Sequence, residues 1–288
     1  MPTGVQLTED QIELFQRDGA VLLKGILTAE ERFLLEQGVE ESNRNPGKRS
    51  SRATNPEGQG ETFMETFPSQ RSPALRQLLE IGRIPEIAAR MMRATSARLI
   101  LDQIFYKQRG KIIATPWHQD TPYMRVRGDD MVRLWLTADV SPKEVSLKII
   151  RGSHRWNVIY SPRLGKKGGE ALKKSGEGKI LTLKNMPEDM PVVPDIDRYP
   201  GSFDILCWDV EPGDALVFNG NMLHSAAGAE NYPHSRRAYT SMWGGPKLKY
   251  VVPPDNAIPT LADIKGFIVP DGAEIGDYPD AFPIAWQA

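Results

Sequence analysis

Cysteine and histidine are both scarce in this chain. The single cysteine, Cys207, excludes an intrachain disulfide and any zinc site built on thiolates, so a metal would have to be held by histidine and carboxylate. It also predicts a reducing, cytoplasmic setting. No stretch approaches the roughly 18 apolar residues of a membrane span. The opening MPTGVQLTEDQ has no basic stretch followed by an apolar one, so no secretory leader is expected. The closing AWQA carries no lipidation or peroxisomal signal. Charge of one sign is not in excess: the formal net charge of −1 gives no reason to expect nucleic acid or an anionic membrane as partner. The expected partner is a small-molecule substrate, and a homo-oligomer stays open.

What is present suffices for one large domain. Hydrophobic residues make up 40% of the 288, enough for one substantial core. Thr8 with Gln11 and Thr28 with Glu31 read as capping boxes opening two helices, 8–18 and 28–39, around a buried strand, AVLLKGIL. Residues 41–62, polar and rich in Gly, Pro, Asn and Ser, read as a surface loop. Two helical stretches follow near 73–82 and 84–93. From about 97 the pattern becomes short strands between turn signals (ARLILDQIFYKQ, VRLWLTADV, SLKIIRG, ILCWDV, DALVFNG, RAYTSMWGG), which argues for a sandwich or jelly roll. The expected organisation is a single domain over 1–288. It has a helical part at 8–95, a β core at 97–245 with an insertion at 158–200, and a proline-rich tail, 246–288, wrapping the core. So long an insertion is a functional lid or a surface loop.

Three features carry chemistry. In WHQD, His118 and Asp120 share a strand face and can reach one metal, while Gln119 points away. One imidazole and one carboxylate are two-thirds of the triad that binds non-haem iron; a hydrogen-bonded pair is the alternative. His224 lies 104 residues past Asp120, after the strand in EPGDALVFNG, and a barrel can bring the two together. A lone core or surface histidine is the alternative. Ser235-Arg236-Arg237-Ala238 opens a strand twelve residues on. An Arg fork there could grip a carboxylate, or the pair could be a solvated strand start.

Taken in this order, these features resemble the phytanoyl-CoA dioxygenase family of iron(II)/2-oxoglutarate oxygenases. The likeness spans about 8–245: DGAVLLKGIL, TAEE, WHQD, RGSH at 151–154, PGDALVF, His224 and the RRA strand. It implies a mainly β, cupin-like jelly roll (a double-stranded β-helix) with flanking N-terminal helices. It implies Fe(II) held by His118, Asp120 and His224, with 2-oxoglutarate and O2 as co-substrates. Arg236 would pair with the distal 2-oxoglutarate carboxylate. The family usually spaces histidine and arginine by eleven; Arg236 is at twelve and Arg237 at thirteen, and Arg236 is favoured. Gln103 and Trp135 match positions flanking the co-substrate. His154 matches a structural turn histidine that ties the turn to a neighbouring strand. Arg151 replaces the usual Pro of that turn, and VSPKEVSLK replaces an Asn-Gly-rich one.

The resemblance also implies that 2-oxoglutarate is oxidised to succinate and CO2 while a substrate is hydroxylated, desaturated or cyclised. Asp120 is the carboxylate that halogenating relatives lack. Phe105, Tyr123, Arg125 and Arg127, with Arg133, are candidate substrate residues; Asp129 and Asp130 could instead pair with these arginines on a hairpin surface. Phe105, Tyr106, Trp117 and Trp208 would flank the site or simply be core. Two other readings keep the scaffold: a cupin-type dioxygenase or isomerase without 2-oxoglutarate, and a non-catalytic binding protein.

Overall fold

The computed structural model describes residues 5–54, 60–80, 83–161, 190–252 and 258–288. Four helices come early: α1 (Glu9–Asp18), α2 (Ala29–Arg44), α3 (Pro73–Glu80) and α4 (Ile84–Met92). Both capping boxes form. Thr8 accepts from the Gln11 amide at 3.2 Å, and Thr28 accepts from that of Glu31 at 3.1 Å. Each such cap stabilises its helix by about 1 kcal/mol. Gly19 closes α1 at φ +80°; a Cβ there would also meet His154 at 2.3 Å and Met222 at 2.4 Å, so the position needs glycine twice over.

The strands run β1 (Ala20–Leu23), β2 (Ser50–Thr54), β3 (Glu61–Thr66), β4 (Ser96–Lys107), β5 (Gly110–Ile112), β6 (Thr115–His118), β7 (Val126–Arg127) and β8 (Met131–Thr137). Then follow β9 (Leu147–Ile150), β10 (Ile205–Cys207), β11 (Ala215–Asn219), β12 (His224–Ala226), β13 (Ala229–Tyr232), β14 (Arg236–Gly244), β15 (Lys249–Tyr250) and β16 (Ile284–Gln287). The major sheet has the order β1-β11-β8-β14-β4-β3-β2, with β16 also on β4. A minor sheet, β10-β9-β12-β6, carries the cross-strand partners His118 and His224. The architecture is mainly β, antiparallel and jelly-roll-like.

Period-2 alternation gives the major sheet two different faces. Val132, Leu134, Leu136, Ile104, Tyr239 and Trp243 join the apolar sides of α1–α4 in the principal core. Their neighbours Arg133, Trp135, Gln103, Thr240 and Arg236 point the other way, into the space around the minor sheet.

Two differences from the sequence reading concern the segment 41–62. Helix α2 continues past Val39 to Arg44, and β2 pairs with β3 where a loop was expected. An edge strand such as SSRAT needs few apolar residues, because one side of it meets solvent, and its polarity disguised it. In the tail, α5 (Leu261–Ile264) opens on a Thr260 cap and β16 pairs with β4. Of the insertion, 162–189 lie outside the described residues. Its described end is anchored on β6: Trp117 Nε1 donates to Asp197 Oδ1 at 2.9 Å.

Candidate active site

His118 ends β6 and His224 begins β12, directly opposite each other, with ring centroids 4.3 Å apart. Asp120 lies two residues beyond the strand, in helical backbone (φ −74°, ψ −36°) that opens the turn Thr121–Tyr123. The pair therefore converges through a strand end and a turn rather than along one continuous strand. Gln119 does point away: its amide donates to the Val158 and Asn221 carbonyls at 3.0 Å each.

Both imidazoles are held by a carbonyl two residues upstream. His118 Nδ1 lies 2.8 Å from Pro116 O, and His224 Nδ1 lies 3.0 Å from Met222 O. Those contacts make Nδ1 the protonated nitrogen and leave each Nε2 as a lone-pair donor. Each Nε2 is 3.9 Å from Asp120 Oδ1. The three ligand atoms lie within 4.8 Å of one another, and among the described residues this is the one such group of three.

The electrostatics suit a cation. Burial, then the neighbouring His118, pushes His224 down to about 3, and burial lowers His118 as well, so both rings are neutral. Burial pushes the Asp120 carboxyl up, but the surrounding groups, first of all the Arg133 guanidinium bonded to it, hold it below the usual carboxylate range. Two neutral imidazoles and one carboxylate form the donor set that binds divalent iron.

The ligands open on two lobes. One, of about 80 Å3, runs between Trp135, Phe218, Thr240 and Arg236. The other, of about 70 Å3, is walled by Met64, Gln103, Tyr123, Met124 and Ile258. Phe105, Lys107 and Arg133 border both. Lys107 and Arg236 are cross-strand partners, each almost wholly buried. Lys107 Nζ donates to Ile113 O at 2.5 Å. Arg236 donates to the Val145 carbonyl.

The arginines separate clearly. Arg236 faces the cavity, whereas Arg237 faces α2 and pairs with Asp139, Glu36 and Glu40. Arg125 and Arg127, taken from sequence as substrate residues, are not among the residues lining either lobe. Arg127 donates to three main-chain carbonyls, those of Thr121, Met124 and Val126 at 2.6–2.9 Å, and so fixes the turn after WHQD. Arg125 meets Tyr250 and Asp263 in the tail. Asp129 and Asp130 pair with none of them. Tyr123 and Phe105 do line the cavity. In the RGSH turn, Ser153 provides the tie to the neighbouring segment, its hydroxyl accepting from the Leu223 amide at 2.9 Å just before His224. His154 lies outside both lobes and His234 is exposed.

Arg133, a candidate substrate residue from sequence, does border both lobes, but it is buried and bonded to Asp120 at 2.5 Å, a role the sequence did not suggest. The available signal was one charged residue in an otherwise apolar strand, MVRLWLT, every position of which is buried.

Residues 15–238 match the phytanoyl-CoA dioxygenase family. No curated protein matches the chain significantly. Among solved structures, the non-heme alpha-ketoglutarate-dependent epimerase SnoN from nogalamycin biosynthesis is similar at TM-score 0.69 and 16% identity, covering 97% of this chain and 96% of its own. The carbocyclase SnoK from the same biosynthesis gives 0.69 and 18%, covering 99% of each chain. EctD from S. alaskensis gives 0.61 and 17%, covering 94% of this chain and 86% of its own. At these identities the likeness is one of fold.

Proposed function

Because the chain belongs to the phytanoyl-CoA dioxygenase family, whose metal and co-substrate are iron(II) and 2-oxoglutarate, we propose that it oxidises a small organic molecule with those cofactors and O2. Hydroxylation is the proposed outcome, with succinate and CO2 as co-products. The observation that carries this reading is the convergence of the His118 and His224 Nε2 atoms on Asp120 Oδ1, at 3.9 Å each.

In this reading His118, Asp120 and His224 hold the iron. The bound metal supplies activation of O2 coupled to oxidative decarboxylation of 2-oxoglutarate. The protein's own residues do the rest. Arg236 donates to the Val145 carbonyl and faces the lobe that Trp135 and Phe218 keep apolar, where its guanidinium would meet the distal carboxylate. Gln103, expected beside the co-substrate, lines the other lobe instead, and its side-chain oxygen accepts from Arg133, so it supports the ligands from the substrate side. Tyr123, Met124, Met64 and Phe105 shape the space for the substrate carbon and exclude water from it. Desaturation or cyclisation is the second outcome, favoured by the carbocyclase that shares the fold.

The test is spectroscopic. Iron(II) and 2-oxoglutarate added anaerobically should give a weak visible charge-transfer band, absent in Asp120→Ala. Iron bound to the wild type without any band would sink the 2-oxoglutarate reading and favour a cupin-type enzyme.

A further inference from the structure

Arg133 is 5% exposed and sits on β8 two residues before Trp135, on the same face. Each edge of its guanidinium is used. Nη1 donates to Asp120 Oδ2 at 2.5 Å, Nε to Thr240 Oγ1 at 2.6 Å, and Nη2 to Gln103 Oε1 at 2.6 Å. Gln103 is held in turn, its amide donating to Thr66 Oγ1 at 3.3 Å. The row Thr66, Gln103, Thr240 and Trp135 crosses four hydrogen-bonded strands in register, so the arginine is braced by the sheet itself. Asp120 is left with one oxygen, Oδ1, toward the two imidazoles.

We propose that Arg133 is a positioning residue that keeps Asp120 a one-oxygen ligand, an inference that rests on the triad's being the iron site. A carboxylate can bind a metal through one oxygen or both. With one from Asp120, the three protein ligands leave three positions open on a six-coordinate ion, two for a chelating 2-oxo acid and one for O2. With both, a position needed for the co-substrate is taken. A charge-assisted bond to Oδ2, shielded from water, opposes that swing. Lysine, a point charge, cannot hold Asp120, Gln103 and Thr240 together as the planar fork does. No other charged side chain contacts Asp120 Oδ2 among the described residues.

The experiment measures two affinities separately on the full chain. Iron(II) binding is read by competition with a chromogenic chelator, and 2-oxoglutarate binding by anaerobic titration of the visible band. Arg133→Met should bind iron about as tightly as wild type while its 2-oxoglutarate affinity falls about tenfold or more, the size of one lost charge-assisted hydrogen bond. Arg133→Lys should recover part of that loss. Unchanged 2-oxoglutarate affinity in Arg133→Met overturns the proposal; so does parallel loss of iron and 2-oxoglutarate, which would make Arg133 a general support of the site. If Arg133→Met does not fold, the near-isosteric Thr240→Val removes one brace and should show the same split at smaller size. No split in Thr240→Val then overturns the proposal. Absence of the band in wild type is a different result: it removes the oxygenase reading itself.

Discussion

The two faces of the major sheet are made by the same strands and do opposite work. On the side covered by α1–α4, alternate residues of β4, β8 and β14 are mostly apolar and fill the principal core, with the carboxyl of Asp102 and the hydroxyl of Ser241 buried among them. On the other side, the residues in between are Gln103, Lys107, Arg133, Thr240 and Arg236. Buried polar groups cost free energy unless each is hydrogen-bonded, and on this face the partners come from neighbouring strands. One face supplies stability, and the other spends rigidity on holding charged groups in place. Substitutions on the two faces should therefore separate stability from ligand binding.

The largest effect is expected on the helix side. Leu134→Ala, at a fully buried core position, should destabilise the fold by about 2–5 kcal/mol. Chemical denaturation would measure it, and the charge-transfer band should survive below the new midpoint. A lost band with little loss of stability would break the comparison.

Asp102 gives a pH-dependent version of the same test. Burial pushes its carboxyl up to about 6, against the hydrogen bonds from Ser69 and Tyr239. A folded-state value above the unfolded one favours the protonated group. Its contribution is complete below the unfolded value near 4 and is lost as pH rises through about 6. Over that window it should remove on the order of 3 kcal/mol of stability. Asp102→Asn should flatten this slope in denaturation curves taken between pH 4 and 7. An unchanged slope would assign the dependence to another group.

On the cavity side, Arg236→Ala should weaken 2-oxoglutarate binding by about 1.5–3 kcal/mol, roughly ten- to a hundredfold, with melting little changed. The smallest effect belongs to its neighbour. Arg237→Ala removes ion pairs to Asp139, Glu36 and Glu40, should cost about 1 kcal/mol of stability, and should leave the 2-oxoglutarate titration where it was. The reverse pattern would exchange the roles of the two residues.

These adjacent arginines also show what the sequence could and could not reveal. That a cation opens β14 was legible from RRA; which of the two faces inward depends on pairing with β4, where Arg236 sits opposite Lys107. The converging ligands were legible because HxD and a late histidine after PGDALVF form a specific pattern. Arg125 and Arg127 look like anion-binding residues in sequence, yet the fold commits one to the tail and the other to backbone carbonyls. The Arg133–Asp120 bond joins residues thirteen positions apart whose meeting is set by strand packing, so no local pattern announces it. The β2 strand was hidden by its polar edge composition.

Ile258 bridges to Met124 and donates its amide to Tyr123 O at 2.8 Å, which places a tail residue in the wall of the second lobe. The family match ends at residue 238, so this one wall residue comes from a part of the chain outside it. Met64, Gln103, Tyr123 and Met124, which complete that wall, come from within the matched stretch. A replacement at Ile258 can therefore reshape that lobe from outside the matched stretch while leaving His118, Asp120 and His224 untouched.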